Sequence, residues 1–206
     1  MIRILEYNLP DSHLIDVNAT DVEWSFWIPD DYYLVMGQSN KAEKSLYLDK
    51  VASDNIKVVK RPSGGESVIL SPKTLVISAR LISDKLENPQ VTFRKINGLI
   101  IDALEKLGIS DLNYRGISDI SIGEKKILGS SIYRKKNIVF YHAVLNLSEN
   151  TEVISKYLRH PVKEPDYRKG RDHSEFVTNL AEEGYIVNPQ ELIELMEGVF
   201  SADLQL

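Results

Sequence analysis

The chain has 206 residues, 43% hydrophobic and 27% charged, a globular composition that excludes wholesale disorder and fibrous repeats. It contains no cysteine, which excludes disulfides, thiolate zinc sites and cysteine nucleophiles and fits a reducing compartment. Its 25 Lys and Arg against 30 Asp and Glu leave a net charge of −5, unlike the positive balance of a nucleic-acid binder, and no apolar run approaches the ~18 residues of a membrane span. The opening MIRILEYNLPDS lacks the apolar core of a secretory signal, so the chain reads as soluble and cytoplasmic. The length favours one domain over 1–206, with no internal repeat and no Pro/Gly/Ser-rich linker to divide it.

Residues 31–37 (DYYLVMG) predict a buried strand ending on a glycine, and 42–52 a short helix. Residues 56–61 (IKVVKR) are β-rich and run into Pro62-Ser63-Gly64-Gly65, a turn signal. Two strands follow at 67–70 and 74–81, parted by Ser71-Pro72-Lys73. In the second, Leu75, Ile77 and Ala79 alternate with Val76, Ser78 and Arg80, which predicts one dry and one wetter face. The clearest helix covers about 91–107, where Phe93, Ile96, Leu99, Ile100, Ala103, Leu104 and Leu107 make one apolar stripe and Gly108 ends it. Short β-like pieces at 117–122 and 125–128 precede a longer strand at 137–147. The last third is helical and polar, with Asn188-Pro189-Gln190-Glu191 as a helix start. Strands in the middle with flanking helices argue for an α+β fold with a mostly antiparallel central sheet.

Two segments carry chemistry. In Arg61-Pro62-Ser63-Gly64-Gly65-Glu66-Ser67-Val68, paired glycines after a strand let backbone N–H groups converge on phosphate or carboxylate, with Arg61 as a bidentate donor beside them. The same residues also make an ordinary hairpin turn, and the spacing is neither a Walker A nor a dinucleotide loop. In Glu124-Lys125-Lys126-Ile127-Leu128-Gly129-Ser130-Ser131, a strand sends Lys125 and Lys126 to opposite faces, so one lysine can meet an anion while the other is solvated; a solvent-facing hairpin pair is the competing reading. His142 sits in an apolar strand, a place where a satisfied core histidine is commoner than a catalyst.

The order of these pieces resembles the lipoate–protein ligase A family of the biotin and lipoate ligase superfamily. The resemblance starts at Tyr33-Leu34-Val35-Met36-Gly37-Gln38-Ser39-Asn40, passes through the R-x-S-G-G and K-I-x-G-S-S stretches, and reaches Val177-Thr178-Asn179-Leu180, about residues 24–180. It implies a catalytic domain similar to class II aminoacyl-tRNA synthetases. It implies a two-step reaction in which ATP, as its Mg2+ complex, and lipoate give lipoyl-AMP, and a lysine of a lipoyl-domain acceptor protein then takes the acyl group. Lys126 matches the family's catalytic lysine, placed between carboxylate and α-phosphate. Arg61, Ser63, Gly64 and Gly65 match the loop over the adenylate, Ser67, Val68, Ile69 and Leu70 the strand that touches the nucleotide, and Gly129, Ser130 and His142 further pocket positions. An apolar slot for the dithiolane falls on strand faces around 33–36 and 75–79. No resident metal site is expected.

The chain departs from the family pattern at definite places. Glu66 replaces the third glycine and is expected to face outward. The usual Y-H-D-x-G-N is Ile69-Leu70-Ser71-Pro72-Lys73-Thr74, without His, Asp or Asn, and G-R-N-D-I survives as Gly116-Ile117-Ser118-Asp119-Ile120. These losses bear on ATP activation, so a transferase using preformed lipoyl-AMP, or a non-catalytic lipoate-binding homologue, are the alternatives. The accessory domain of larger family members is expected to be absent from this chain or supplied by a separate protein. Lacking cysteine, the chain cannot form the thioester of the related octanoyl and lipoyl transferases. Finally, 156–173 carries six basic against three acidic residues, a local +3, and is expected to meet an acidic acceptor or the adenylate phosphate.

Overall fold

A computed structural model describes residues 2–84 and 88–203. Its strands are β1 (Ile4–Glu6), β2 (Glu23–Trp27), β3 (Tyr33–Met36), β4 (Lys57–Lys60), β5 (Val68–Leu70), β6 (Thr74–Ile82), β7 (Leu112–Arg115), β8 (Asp119–Ile122), β9 (Lys125–Lys135) and β10 (Ile138–Asn146). Its helices are α1 (Ala42–Ser45), α2 (Leu48–Ser53), α3 (Pro89–Lys106), α4 (Thr151–Tyr157), α5 (His173–Phe176) and α6 (Pro189–Asp203). Six strands form an antiparallel sheet in the order β2-β6-β10-β9-β8-β7. Four more form a second sheet, β1-β4-β3-β5, in which β4 pairs parallel to both neighbours. The fold is therefore α+β and mostly antiparallel as expected, with two sheets where one was expected.

The apolar stripe of α3 faces the six-stranded sheet: Phe93, Ile96, Ile100, Ala103 and Leu104 are buried against Leu75, Ile77, Ala79, Tyr141, Ala143 and Leu145, together with Leu192, Met196 and Phe200 of α6. Each fully buried Ile or Leu contributes about 1.5–3 kcal/mol of transfer free energy. Asn88 caps α3 by accepting from the Gln90 N–H, and Gly108 leaves the helix at φ +79°. Asn188 caps α6 in the same way. The opposite face of the six-stranded sheet meets the second sheet through Val35, Leu70, Val76 and Val144. Beyond the second sheet, α1, α2 and α4 pack on Leu34, Met36, Val58 and Ile69.

Three local expectations are corrected. The helix expected at 42–52 is two short helices, because Leu46 leaves the helical path to form a β-bridge with Leu158. The wetter face of β6 is polar but buried. Ser78 donates to Asp11, and Arg80 pairs with Asp21 and Glu23, so the N-terminal segment supplies partners where water was expected. The strand beginning at Lys125 runs on to Lys135, and β7 precedes the expected β-pieces.

Candidate functional site

The glycine loop leaves β4 and returns into β5 over the edge of β3. Gly65 takes φ +86°, a conformation that glycine adopts without a Cβ penalty. Gly37, at the end of β3, approaches it so closely that a Cβ there would sit 2.0 Å from the Gly65 carbonyl oxygen. Arg61 is 4% exposed and spends its guanidinium on the loop itself. Nε donates to Ser63 Oγ at 3.0 Å, Nη1 to the Val35 carbonyl at 3.1 Å, and Nη2 to the Gly64 and Glu66 carbonyls at 2.8 Å each. Burial lowers its pKa to about 10, so it stays charged at neutral pH. Ser131 Oγ donates to the Gly64 carbonyl at 2.9 Å and ties the loop to β9. With the carbonyls held from one side, the N–H groups of Gly64 and Gly65 have no protein acceptor among the described residues. Such unpaired donors are the chemistry of an anion-binding nest.

Ser63 lies beneath this loop, 1% exposed, with Oγ 2.6 Å from His142 Nε2. Ser63 Oγ accepts from Arg61 Nε and shares a hydrogen bond with His142 Nε2, its direction set by the imidazole tautomer. Burial and the nearby Arg61 charge hold the His142 pKa well below the usual imidazole range, so the ring is neutral. Ser63 and His142 therefore shape the loop from below.

Lys126 is placed by an irregularity. Strand β8 pairs with β9 as Asp119↔Gly129 and Ile120↔Leu128, then Ser121↔Lys126 and Ile122↔Lys125. The extra residue, Ile127, forms a bulge that puts Lys126 on the face of Asp119 and Gly129. Lys125 goes to the other face, exposed. Lys126 Nζ lies 2.8 Å from Asp119 Oδ1, and Tyr167 OH donates to Asp119 Oδ2 at 2.9 Å. Gly129 makes room for this: a Cβ there would fall 2.6 Å from Lys126 Nζ. The Lys126 main chain is fixed by Val177 and by the Thr178 N–H, which donates to its carbonyl at 2.9 Å. The Val177–Leu180 stretch thus serves as the lysine's outer brace.

A cavity of about 960 Å³ joins the two motifs, at the upper end of ordinary ligand pockets. Lys126, Asp119 and Gly129 line it on one side and Arg61, Gly65, Glu66 and Ser67 on another. Val35, Val68, Leu70, Val76 and Val144 give it an apolar floor between the sheets. The expected slot around 33–36 and 75–79 is thus reduced to Val35 and Val76, since Leu34 and Met36 turn to the α1/α2 side and Leu75, Ile77 and Ala79 to α3. Ile69 borders the cavity but packs with Leu34 and Met36, alternating away from Val68 and Leu70. Ser67 Oγ donates to Asn40 Oδ1 at 3.1 Å. Ser130 borders the cavity with its hydroxyl donating to the Ser118 carbonyl, and Ser131 is the residue that reaches the loop.

Two further expectations change. Glu66 does not face outward: it is half-buried on the cavity wall, where Oε1 accepts the Lys163 N–H at 3.2 Å and Oε2 the Asn40 amide at 3.4 Å. Four of the six basic residues of 156–173 are engaged by the protein itself, Arg159 by the Leu46 carbonyl among them, while Lys163 and Lys169 are exposed. Arg168 is 4% exposed, stacked over Phe176 and bonded to the Arg171 carbonyl. Arg171 donates to the Glu124 and Tyr167 carbonyls, and Lys156 pairs with Asp54. What the segment does is wall the cavity, from Arg159 to Arg168. The turn replacing His, Asp and Asn satisfies itself: Thr74 Oγ1 exchanges hydrogen bonds with the Ser71 main chain at 3.1 and 2.9 Å. Asp119, Tyr167 and Ser131 are the site residues that sequence reasoning did not assign. For Asp119 the signal was present, as the survivor of a motif beside the lysine strand.

Unpaired N–H donors and a lysine over an apolar floor define a pocket for an apolar molecule with an anionic head. Residues 16–201 match the model of the lipoyl protein ligase A/B catalytic domain, and the chain belongs to that family. It is 31% identical over 131 residues to a lipoate-protein ligase A of Psychrobacter cryohalolentis, covering 63% of this chain and 37% of that protein. Its fold is similar to that of a chain from a structural analysis of an archaeal lipoylation system, a bi-partite lipoate protein ligase and its E2 lipoyl domain from Thermoplasma acidophilum (TM-score 0.78, 24% identity, 90% of this chain and 72% of that one). It is also similar to that of a lipoate-protein ligase A bound with ATP (TM-score 0.77, 22% identity, 100% and 84%). No helix among the described residues is long and apolar enough to cross a membrane.

Proposed function

We propose that this chain is the catalytic unit of a lipoate–protein ligase. The observation that carries the reading is Lys126, set by the β9 bulge into an apolar-floored cavity that it shares with the glycine loop. The names of the relatives, one bound with ATP and one from a lipoylation system that includes an E2 lipoyl domain, support the same reading. In the first step a lipoate carboxylate oxygen bonds to the α-phosphorus of ATP while the bond to the pyrophosphate bridging oxygen breaks. Lys126 sits between the two anions, and the Gly64 and Gly65 N–H groups receive phosphate oxygens. Mg2+ travels with ATP as part of the substrate. In the second step a neutral acceptor lysine attacks the acyl carbon, AMP leaves with the bonding pair, and the amine proton goes to solvent; positioning carries this step. The acceptor is a lipoyl-domain protein.

A second reading rests on the Ser71–Thr74 turn, which offers none of the His, Asp and Asn side chains of the family motif and closes on itself through Thr74 and the Ser71 main chain. In it the chain transfers the acyl group of preformed lipoyl-AMP. The test is pyrophosphate release with ATP, Mg2+ and lipoate, without and then with a lipoyl domain. Lipoate-dependent release that disappears in Lys126→Ala supports the ligase. Transfer from lipoyl-AMP without release supports the second reading, and neither activity leaves a binding protein.

A further inference from the structure

Glu66 is the one residue of the glycine loop whose side chain departs from the family pattern, and its contacts give it a use. Its main chain stays outside the left-handed region while Gly65 supplies the positive φ, so the turn itself does not need a third glycine. Its own carbonyl is fixed by Arg61 at 2.8 Å. Its carboxylate reaches across the cavity wall to the Lys163 N–H, and it is steadied by Asn40, whose Oδ1 also accepts from the Gly37 N–H and Ser67 Oγ. Lys163 lies on the wall segment 159–168, between Pro161 and Pro165, whose rings stiffen the chain there. The far side of that segment is fastened by Tyr167, which donates to Asp119, the partner of Lys126. The segment between Lys163 and Tyr167 thus runs from the glycine loop to the catalytic lysine's carboxylate.

We infer that Glu66 is a positioning residue: by accepting the Lys163 N–H it fastens the 159–168 segment to the glycine loop and retains the acyl adenylate in the cavity. A carboxylate on this wall would repel the phosphate of an adenylate if left free. Engaged by two N–H donors, with the Arg61 charge acting on it, it holds the two cavity walls together. The inference deepens the ligase reading and depends on it for the identity of the ligand, while the fastening itself does not depend on it.

Hydrogen exchange of the Lys163 amide in the whole chain tests the fastening without any ligand. Glu66→Ala and Glu66→Gly are expected to speed that exchange about tenfold, with the melting temperature and core exchange little changed. Glu66→Gln, which keeps an acceptor oxygen, is expected to remain near the parent. A non-hydrolysable sulfamoyl analogue of lipoyl-AMP then reads retention: its dissociation rate rises about tenfold in Glu66→Ala, the association rate holds, and Glu66→Gln restores slow release. Unchanged Lys163 exchange in Glu66→Ala overturns the fastening, and faster exchange with unchanged analogue release overturns the role in retention. An analogue that does not bind the parent chain overturns retention and the ligase reading together, and the exchange result then still decides the fastening.

Discussion

Gly129→Ala separates the chemistry of Lys126 from the stability of the fold. Position 129 lies in the middle of β9, its φ outside the left-handed region, so alanine suits the backbone. The added Cβ meets Lys126 Nζ at 2.6 Å and Cε at 2.7 Å, against an optimal contact of about 3.5–4.0 Å. The nearest atoms belong to the far end of a flexible side chain, so the lysine retreats by about 1 Å and the strand stays. Displacing a reacting group by about 1 Å costs about 10²-fold in rate, or about 2.7 kcal/mol of transition-state stabilisation. The cost to folding is that of loosening the Lys126–Asp119 pair. Lys126 is 28% exposed and Asp119 keeps its bond from Tyr167, so this is about 1 kcal/mol, a melting shift of about 2–4 °C. Lipoate-dependent pyrophosphate release and thermal melting, measured beside Lys126→Ala, give both quantities. Adenylation at the parent rate in Gly129→Ala, or a loss no larger than the lost folded fraction, would refute the reasoning.

Two further outcomes are expected. Arg61→Lys retains a charge but not the fork that reaches Ser63, Val35, Gly64 and Glu66, so it should lower stability by about 3 kcal/mol and weaken binding of the adenylate analogue; a urea midpoint equal to the parent's would remove Arg61 as the loop's brace. His142, its pKa depressed by burial, takes its proton more readily in the unfolded chain. Its contribution is therefore whole above pH 6.5 and is lost as the pH falls, by about 1.4 kcal/mol per pH unit. His173, lowered to about 4, acts in the same direction, and Asp11, raised by burial, acts in the opposite one. Urea titrations of His142→Gln between pH 6.5 and 4.5 should therefore show a flatter slope than the parent, and equal slopes would contradict a neutral His142.

Local signals were readable where a residue's neighbours in sequence are its neighbours in space. The α3 stripe repeats at three and four residues because a helix is built from such contacts, and its buried residues are those of the stripe, with Asn97 added to bond Tyr141. The glycine loop was legible for the same reason, because φ at Gly65 is set by the loop itself. The polar face of β6 was misread because its partners, Asp11, Asp21 and Glu23, lie more than fifty residues upstream. The break at Leu46 was invisible because Leu158 causes it.

The amino-acid order alone carried the α3 helix, the central strands, the glycine turn, the pair of candidate lysines and, through motif order, the family resemblance. It put Lys125 and Lys126 on opposite faces, because alternate residues of a strand leave on opposite sides, and the family resemblance pointed to Lys126. Whether that lysine enters a cavity, and what it meets there, was decided by tertiary structure. The bulge at Ile127 exists only in the pairing of β8 with β9, and it turns Lys126 toward Asp119. The same holds for Glu66, whose partner Lys163 is 97 residues away. A carboxylate's role follows from the donors folded against it, and those donors are brought by distant chain that no local spacing encodes.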